Sequence, residues 1–224
     1  MNSARVLVVN ILVLVLLIAG GVAAFYFYIQ SANYVSTDNA RIDGQQVTIY
    51  ATAGGQLTDW NGDIGKRYNA GDRVGTISAG APAAAAGGVA RVLSAVDLIF
   101  PINATIVQQT AVRNAFVAPG TPLARAYDMD HLWVTANVNE TNINDVKTGQ
   151  AVDVYVDAFP GTTLTGRVDK IGLSTASNFS MLPASNTTAN YTKVTQVIPV
   201  TVRLDGYKGL NIVPGMSASV RIHM

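Results

Sequence analysis

An apolar run followed by a change of period organises the chain. Residues 6–29 are almost wholly hydrophobic, and no charged residue falls between positions 6 and 37. As a helix, that run is roughly 35 Å long, enough to cross a hydrocarbon core of about 30 Å. Phe25, Tyr26, Phe27 and Tyr28 fall at its outer end, where aromatic rings favour the headgroup layer. Past it the pattern turns strand-like. Residues 34–50, YVSTDNARIDGQQVTIY, read as an extended segment with a turn at Asp43-Gly44. Residues 49–77 read as short strands punctuated by Gly54-Gly55, Gly62-Asp63, Gly65 and Gly71-Asp72, residues that permit tight turns with positive φ. Residues 100–126 repeat this grammar: Asn114, Val117 and Gly120 echo Gly65, Tyr68 and Gly71, while Thr121 and Leu123 match Asp72 and Val74. Asn for Gly at the first echo is tolerable, because Asn also enters the left-handed region.

The remainder is predicted to be a second β-domain. Residues 132–138, 151–157, 164–171, 194–204 and 216–222 alternate or are rich in β-branched residues, and Gly, Pro, Asn or Asp separates them. Residues 139–146 read as one short helix with Asn139 as its N-cap. Five or six antiparallel strands and a helix predict a small barrel that manages its edges by closure. Residues 174–192 form a Ser/Thr/Asn/Ala-rich loop, of the kind that is mobile or used for contacts.

Two half-motifs of about 30 residues are each too short to bury a core alone, so they should pack face to face. This pairing resembles the biotinyl/lipoyl domain. In carriers of that kind the link between the halves holds a modified lysine, yet residues 78–98 contain none. A carrier function therefore lacks its reactive group.

A wider resemblance covers nearly all the chain outside that link. Ser36-Thr37-Asp38-Asn39-Ala40 after a single apolar helix is similar to the HlyD/EmrA-type membrane fusion proteins, adaptor subunits of bacterial exporters. His131-Leu132-Trp133-Val134, Gly149-Gln150-Ala151-Val152, Asp157-Ala158-Phe159-Pro160-Gly161 and Gly166-Arg167-Val168 resemble that family's barrel. Phe179-Ser180-Met181-Leu182-Pro183, Asn190-Tyr191-Thr192-Lys193-Val194, Ile198-Pro199-Val200 and Pro214-Gly215-Met216-Ser217-Ala218 resemble its EmrA-like branch. The expected fold is mainly β: a transmembrane helix, a lipoyl/biotinyl-like sandwich and an antiparallel β-barrel adaptor domain. The expected division is a cytoplasmic tail 1–5, the helix 6–29, a connector 30–45, half-motifs 46–78 and 99–127 around a link 79–98, and a barrel 128–224.

The resemblance implies a membrane-anchored efflux adaptor that is not an enzyme, assembles with copies of itself and partners an inner-membrane exporter. A major facilitator exporter is the first expectation and an ABC exporter the second. The family's long helical hairpin is absent or greatly shortened: about 21 residues separate the halves, so each arm has at most roughly 8 residues, about 12 Å of helix. Docking to an outer-membrane channel through a hairpin tip is not expected. The rival reading is a membrane-tethered extracytoplasmic protein that takes ligand in its barrel without a transporter.

Composition narrows this further. A net charge of +1 with 13% charged residues offers no basic face for nucleic acid. Absence of Cys excludes disulfides, cysteine-ligated zinc and a lipoprotein anchor. Arg5 inside and no Lys or Arg outside before Arg41 orient the amino terminus to the cytoplasm and the bulk outside the cell membrane. Cleavage after Val22-Ala23-Ala24 is the competing reading, opposed by the apolar run continuing to Ile29.

No catalytic, cofactor or metal residue is assigned. Asp128, Asp130 and His131 are close in sequence, but a turn into the following strand accounts for them better than a metal site. His223 reads as a strand-end residue, and Asp38, Asp43, Asp59 and Asp63 lack calcium-loop spacing. Asn103, Asn139, Asn178, Asn186 and Asn190 begin Asn-x-Ser/Thr triplets that matter only in a glycosylating host. Trp60, Tyr68 and Trp133 are expected in the core, Trp133 more firmly than Trp60.

Overall fold

The computed structural model describes residues 10–22, 25, 33–79, 94–176 and 195–224. It is mainly β, with fourteen strands among the described residues. Residues 10–22 are helical and their apolar side chains, Ile11 to Ile18 among them, are exposed. Among the described residues no helix is long and apolar enough to cross a membrane. The ends of the expected anchor, most of the link and most of the 174–192 loop lie outside the described residues. The described chain divides into two compact units, one built on residues 134–211 with 216–224 and 1–41, the other on 42–133 with 212–215.

The second of these is a sandwich. Its strands are β2 (Gln46–Tyr50), β3 (Gly55–Trp60), β4 (Arg67–Tyr68), β5 (Arg73–Ala79), β6 (Ser94–Ile99), β7 (Ala104–Gln109), β8 (Phe116–Val117) and β9 (Pro122–Tyr127). They form two four-stranded sheets, β2-β9-β7-β4 and β6-β5-β3-β8. One sheet takes its central pair from the second half-motif and its outer strands from the first; the other takes its central pair from the first, with β8 of the second on one side and β6, from the end of the expected link, on the other. The halves are interleaved rather than merely stacked. Leu57, Val74 and Ile77 of the first half share one core with Leu98 of β6 and with Ile106 and Leu123 of the second half, each at most 1% exposed.

The repeat predicted from turn residues extends to the hydrogen bonds. Gly65, Gly71, Asn114 and Gly120 all have positive φ, at 85°, 91°, 66° and 82°. Each of these turns docks on the other half at one constant offset. The Gly65 N–H donates to Ile106 O and the Ile106 N–H to Lys66 O; the Asn114 N–H donates to Leu57 O and the Leu57 N–H to Ala115 O. Likewise Gly71 and Phe100 bond as Gly120 and Ala51 do. The Trp60 indole donates to Gly62 O at 3.1 Å, and Gln109 at the matching site donates to Ala111 O at 3.1 Å.

The halves differ where volume demands it. Tyr68 stacks on Phe100 with ring centroids 4.5 Å apart, whereas the matching pair is Val117 and Ala51. Trp60 is buried at 6% exposure and Trp133 is only half-buried, the reverse of the sequence ranking. Trp60 belongs inside because its indole N–H finds a carbonyl two residues on. Gly55 has no positive φ; a Cβ there would meet Ser78 O at 2.1 Å, so close strand approach fixes it.

The other unit is a closed barrel in the order β1-β10-β13-β12-β11-β14. Here β1 is Tyr34–Asp43, β10 Trp133–Asn139, β11 Ala151–Val156, β12 Thr163–Ile171, β13 Val197–Leu204 and β14 Ser217–His223. The sixth strand comes from the segment read as a connector. Its weak alternation is real but interrupted, which hid it. The helix read over 139–146 is a 3₁₀ helix, Glu140–Asp145, and Asn139 makes no side-chain cap bond, contrary to its predicted role. Val134, Val154, Leu164, Val200 and Ile222 are among the apolar side chains, at most 0% exposed, that fill the barrel interior.

Three stability outcomes follow from the sandwich unit. Gly71→Val forces a branched side chain to positive φ, and should cost about 1–3 kcal/mol in denaturant unfolding. His131→Ala, on an exposed turn, should leave the midpoint almost unchanged at pH 7.5; equal losses would refute the turn assignment. Phe100→Ala should cost about 3–5 kcal/mol by opening a cavity beside Tyr68.

Candidate functional site

The described residues bring no three metal-ligating side chains together. Asp38, Asp43, Asp59 and Asp63 do not converge: Asp43 accepts from the Gly44 N–H at 2.9 Å, and Asp59 pairs with Arg113 at 3.4 Å. Asp128, Asp130 and His131 form a turn. Asp128 Oδ1 accepts from the Asp130 N–H at 2.9 Å, its Oδ2 lies 2.7 Å from His131 Nδ1, and Asp130 pairs with Arg67.

That hydrogen bond with Asp128, and the carboxylate's charge, hold the His131 pKa above its ordinary 6.5. Burial pushes Asp128 up, but the bonds from His131 and the Asp130 N–H outweigh it and leave the carboxyl below its ordinary 3.8. A raised imidazole pKa stabilises below 6.5 and loses its effect as pH rises through the raised value. A depressed carboxyl pKa stabilises above 3.8 and loses its effect as pH falls through the lowered value. The pair therefore contributes most between these ordinary values. The melting-temperature gap between wild type and His131→Ala should be largest near pH 5 (inside that window) and shrink as the pH rises through the raised imidazole pKa. A gap independent of pH would contradict the pairing.

The best-organised polar surface lies on the outer barrel wall. β1 pairs with β14, and β14 with β11, so alternate side chains of the three strands share one face. Tyr34 stands opposite His223, Ser36 opposite Arg221, and Arg221 in turn opposite Asp153. His223 Nε2 lies 2.9 Å from Asp153 Oδ2, and its ring meets Tyr34 edge-on at 4.8 Å. The Arg221 guanidinium sits 5.4 Å from the Tyr34 ring centre and 5.9 Å from that of Tyr155. Ser36, Thr37, Asp38, Tyr155, Ser219, Val220 and Arg221 line a cleft of about 380 Å³.

A bulge adjoins that cleft. The β1–β14 register jumps between Thr37 and Ala40, so Asp38 and Asn39 together oppose Ser219. The extra residue lets both point outward while Val35, Ala40 and Ile42 stay in the core. Thr37 Oγ1 donates to Asn137 O at 2.8 Å and accepts from the Asn39 N–H at 3.2 Å. Asn137 Nδ2 donates to Asn39 Oδ1 at 3.1 Å. The Ser36–Ala40 stretch thus carries the staple of a bulge. Sequence reading found the stretch but not this role, because its partner Asn137 is about a hundred residues away. His223 was read as an ordinary strand end; its bond to Asp153 was invisible for the same reason.

A closed six-stranded barrel and an interleaved sandwich in one chain define the fold of a membrane fusion protein. The membrane fusion protein Spr0693 from Streptococcus pneumoniae R6 superposes with a TM-score of 0.58 at 12% identity, covering 84% of this chain and 97% of that one. A family model described as the YknX-like beta-barrel domain matches residues 132–222. YhbJ of Bacillus subtilis (strain 168), an efflux system component by name, is 39% identical over 222 residues, 99% of this chain and 94% of that protein. The multidrug export protein EmrA of Escherichia coli (strain K12) is 35% identical over 109 residues, which cover 48% of this chain but 28% of that protein. The chain belongs to the HlyD/EmrA-type membrane fusion protein family.

Removing the staple should loosen the wall. Thr37→Val deletes two hydrogen bonds at similar volume and should cost about 1–3 kcal/mol. Ser36→Ala, beside it, should change little in the same denaturant titration. The reverse ranking would refute the stapled bulge.

Proposed function

We propose that the chain is a non-enzymatic, membrane-anchored adaptor of an export system that works with a transporter in the cytoplasmic membrane. The observation that carries this is the near end-to-end match to YhbJ at 39% identity. In this reading residues 6–29 span the bilayer, residues 1–5 lie inside, and both β-units stand outside. The domain division follows the sequence boundaries, except that the bulge-bearing strand of the connector is contributed to the barrel and β6, from the end of the link, to the sandwich. The partner is a major facilitator exporter, in keeping with the match to a multidrug export protein, and the adaptor acts as a homo-oligomer. The energy source lies in that partner.

Reach supports an adaptor without a long projecting hairpin. Ala79 and Ser94 are cross-strand partners, so the intervening residues 80–93 leave and return at one point. Even fully extended, such a loop reaches at most about 25 Å from the sheet. The rival reading, a ligand taken inside the barrel, is disfavoured by the apolar side chains that fill its interior.

Deletion of the gene should raise cellular accumulation of at least one compound in a panel of dyes and organic acids, restored by the full chain but not by residues 34–224 alone. Chemical cross-linking of the tagged full chain in membranes should capture a multi-span transporter. Unchanged accumulation across the panel together with a monomer free of any transporter would contradict the proposal.

A further inference from the structure

The outer-wall cleft has features that bracing a transporter does not require. Arg221 is framed by two tyrosine rings, which orient the guanidinium and limit its side-chain freedom. Asp153, its cross-strand neighbour, is engaged by His223. Among the described residues Arg221 forms no ion pair, and Asp38 on the same cleft forms none either. Among the described residues one cleft therefore holds a cation and an anion that form an ion pair neither with each other nor with a third group. Asp38 keeps the outward parity of Ser36 on this face, and the bulge turns Asn39 outward beside it, so that both oppose Ser219. Ser36 and Ser219 also line the cleft. A volume of about 380 Å³ lies in the range of small-molecule pockets, roughly 300–1,000 Å³.

We propose that this cleft binds a small organic zwitterion, its carboxylate on the Arg221 guanidinium and its ammonium on the Asp38 carboxylate. A plain anion would leave Asp38 repelling it, and a plain cation would meet Arg221; only a ligand bearing both charges satisfies both groups. Charge-assisted hydrogen bonds at each end, with Tyr34 and Tyr155 flanking the anionic end, supply the recognition. The site is on the barrel exterior and stands independently of whether the chain partners an exporter.

The test uses the purified full chain in detergent micelles, titrated with glycine, 4-aminobutyrate and 6-aminohexanoate, and with hexanoate and hexylamine as single-charge controls. Chemical shifts of the Tyr34 and Tyr155 rings report binding. One of the amino acids should bind saturably, and Arg221→Gln and Asp38→Asn should each weaken it by about tenfold or more, roughly the loss of one charge-assisted contact. Hexanoate and hexylamine should bind more weakly by a similar factor. Should Arg221→Gln fail to fold, Asp38→Asn, an exposed substitution, decides the matter alone. Absence of saturable binding by all three amino acids, undiminished binding by Asp38→Asn, or hexanoate binding as tightly as the best amino acid would overturn the proposal.

Discussion

Four turns that bond to the opposite half hold the sandwich together. Gly65, Gly71, Asn114 and Gly120 adopt a left-handed backbone, and each directs its N–H to a backbone carbonyl of the other half-motif. Neither half can complete a sheet by itself, because β4 is an outer strand beside β7 and β8 one beside β3. Two stretches with the same grammar thereby become one cooperative unit with one core. The constraint is conformational rather than steric. A Cβ at Gly65, Gly71 or Gly120 would meet nothing within 4 Å, yet its φ would be strained.

The barrel solves a different problem. Six strands must close without exposing edges, and the sixth is supplied by β1, from the opposite end of the sequence to β10–β14. That long closure needs a device to set register, and the bulge between Thr37 and Ala40 is that device. Without it Ala40 and Ile42 would turn outward and Asn39 inward. The same irregularity arranges polar groups on the wall outside. Core register and the outward placement of Asn39 are thus two consequences of one extra residue.

Much of this was legible in the sequence, for identifiable reasons. The paired half-motifs were readable because positive-φ turns restrict residue choice, so Gly and Asn recur at fixed spacing. The barrel strands at 151–156 and 163–171 were readable because inward and outward residues alternate. What escaped was long-range. Strand β1 alternates poorly across its bulge, and the partners of Thr37 and His223 lie far along the chain. The ranking of Trp60 below Trp133 failed because burial of an indole depends on a local carbonyl for its N–H, which hydropathy does not register. The 3₁₀ helix at 140–145 was mistaken for an ordinary one because i and i+3 bonding leaves no distinct signature over six residues.

Native-state hydrogen exchange on the amides of Leu57, Gly65, Ile106 and Asn114 tests the interleaved sandwich most directly. These four donate across the two halves, so they should open together, with one free energy equal to that of global unfolding of the sandwich. Separate opening energies for Leu57 and Gly65 on one side, and Ile106 and Asn114 on the other, would show two independent halves and contradict the account.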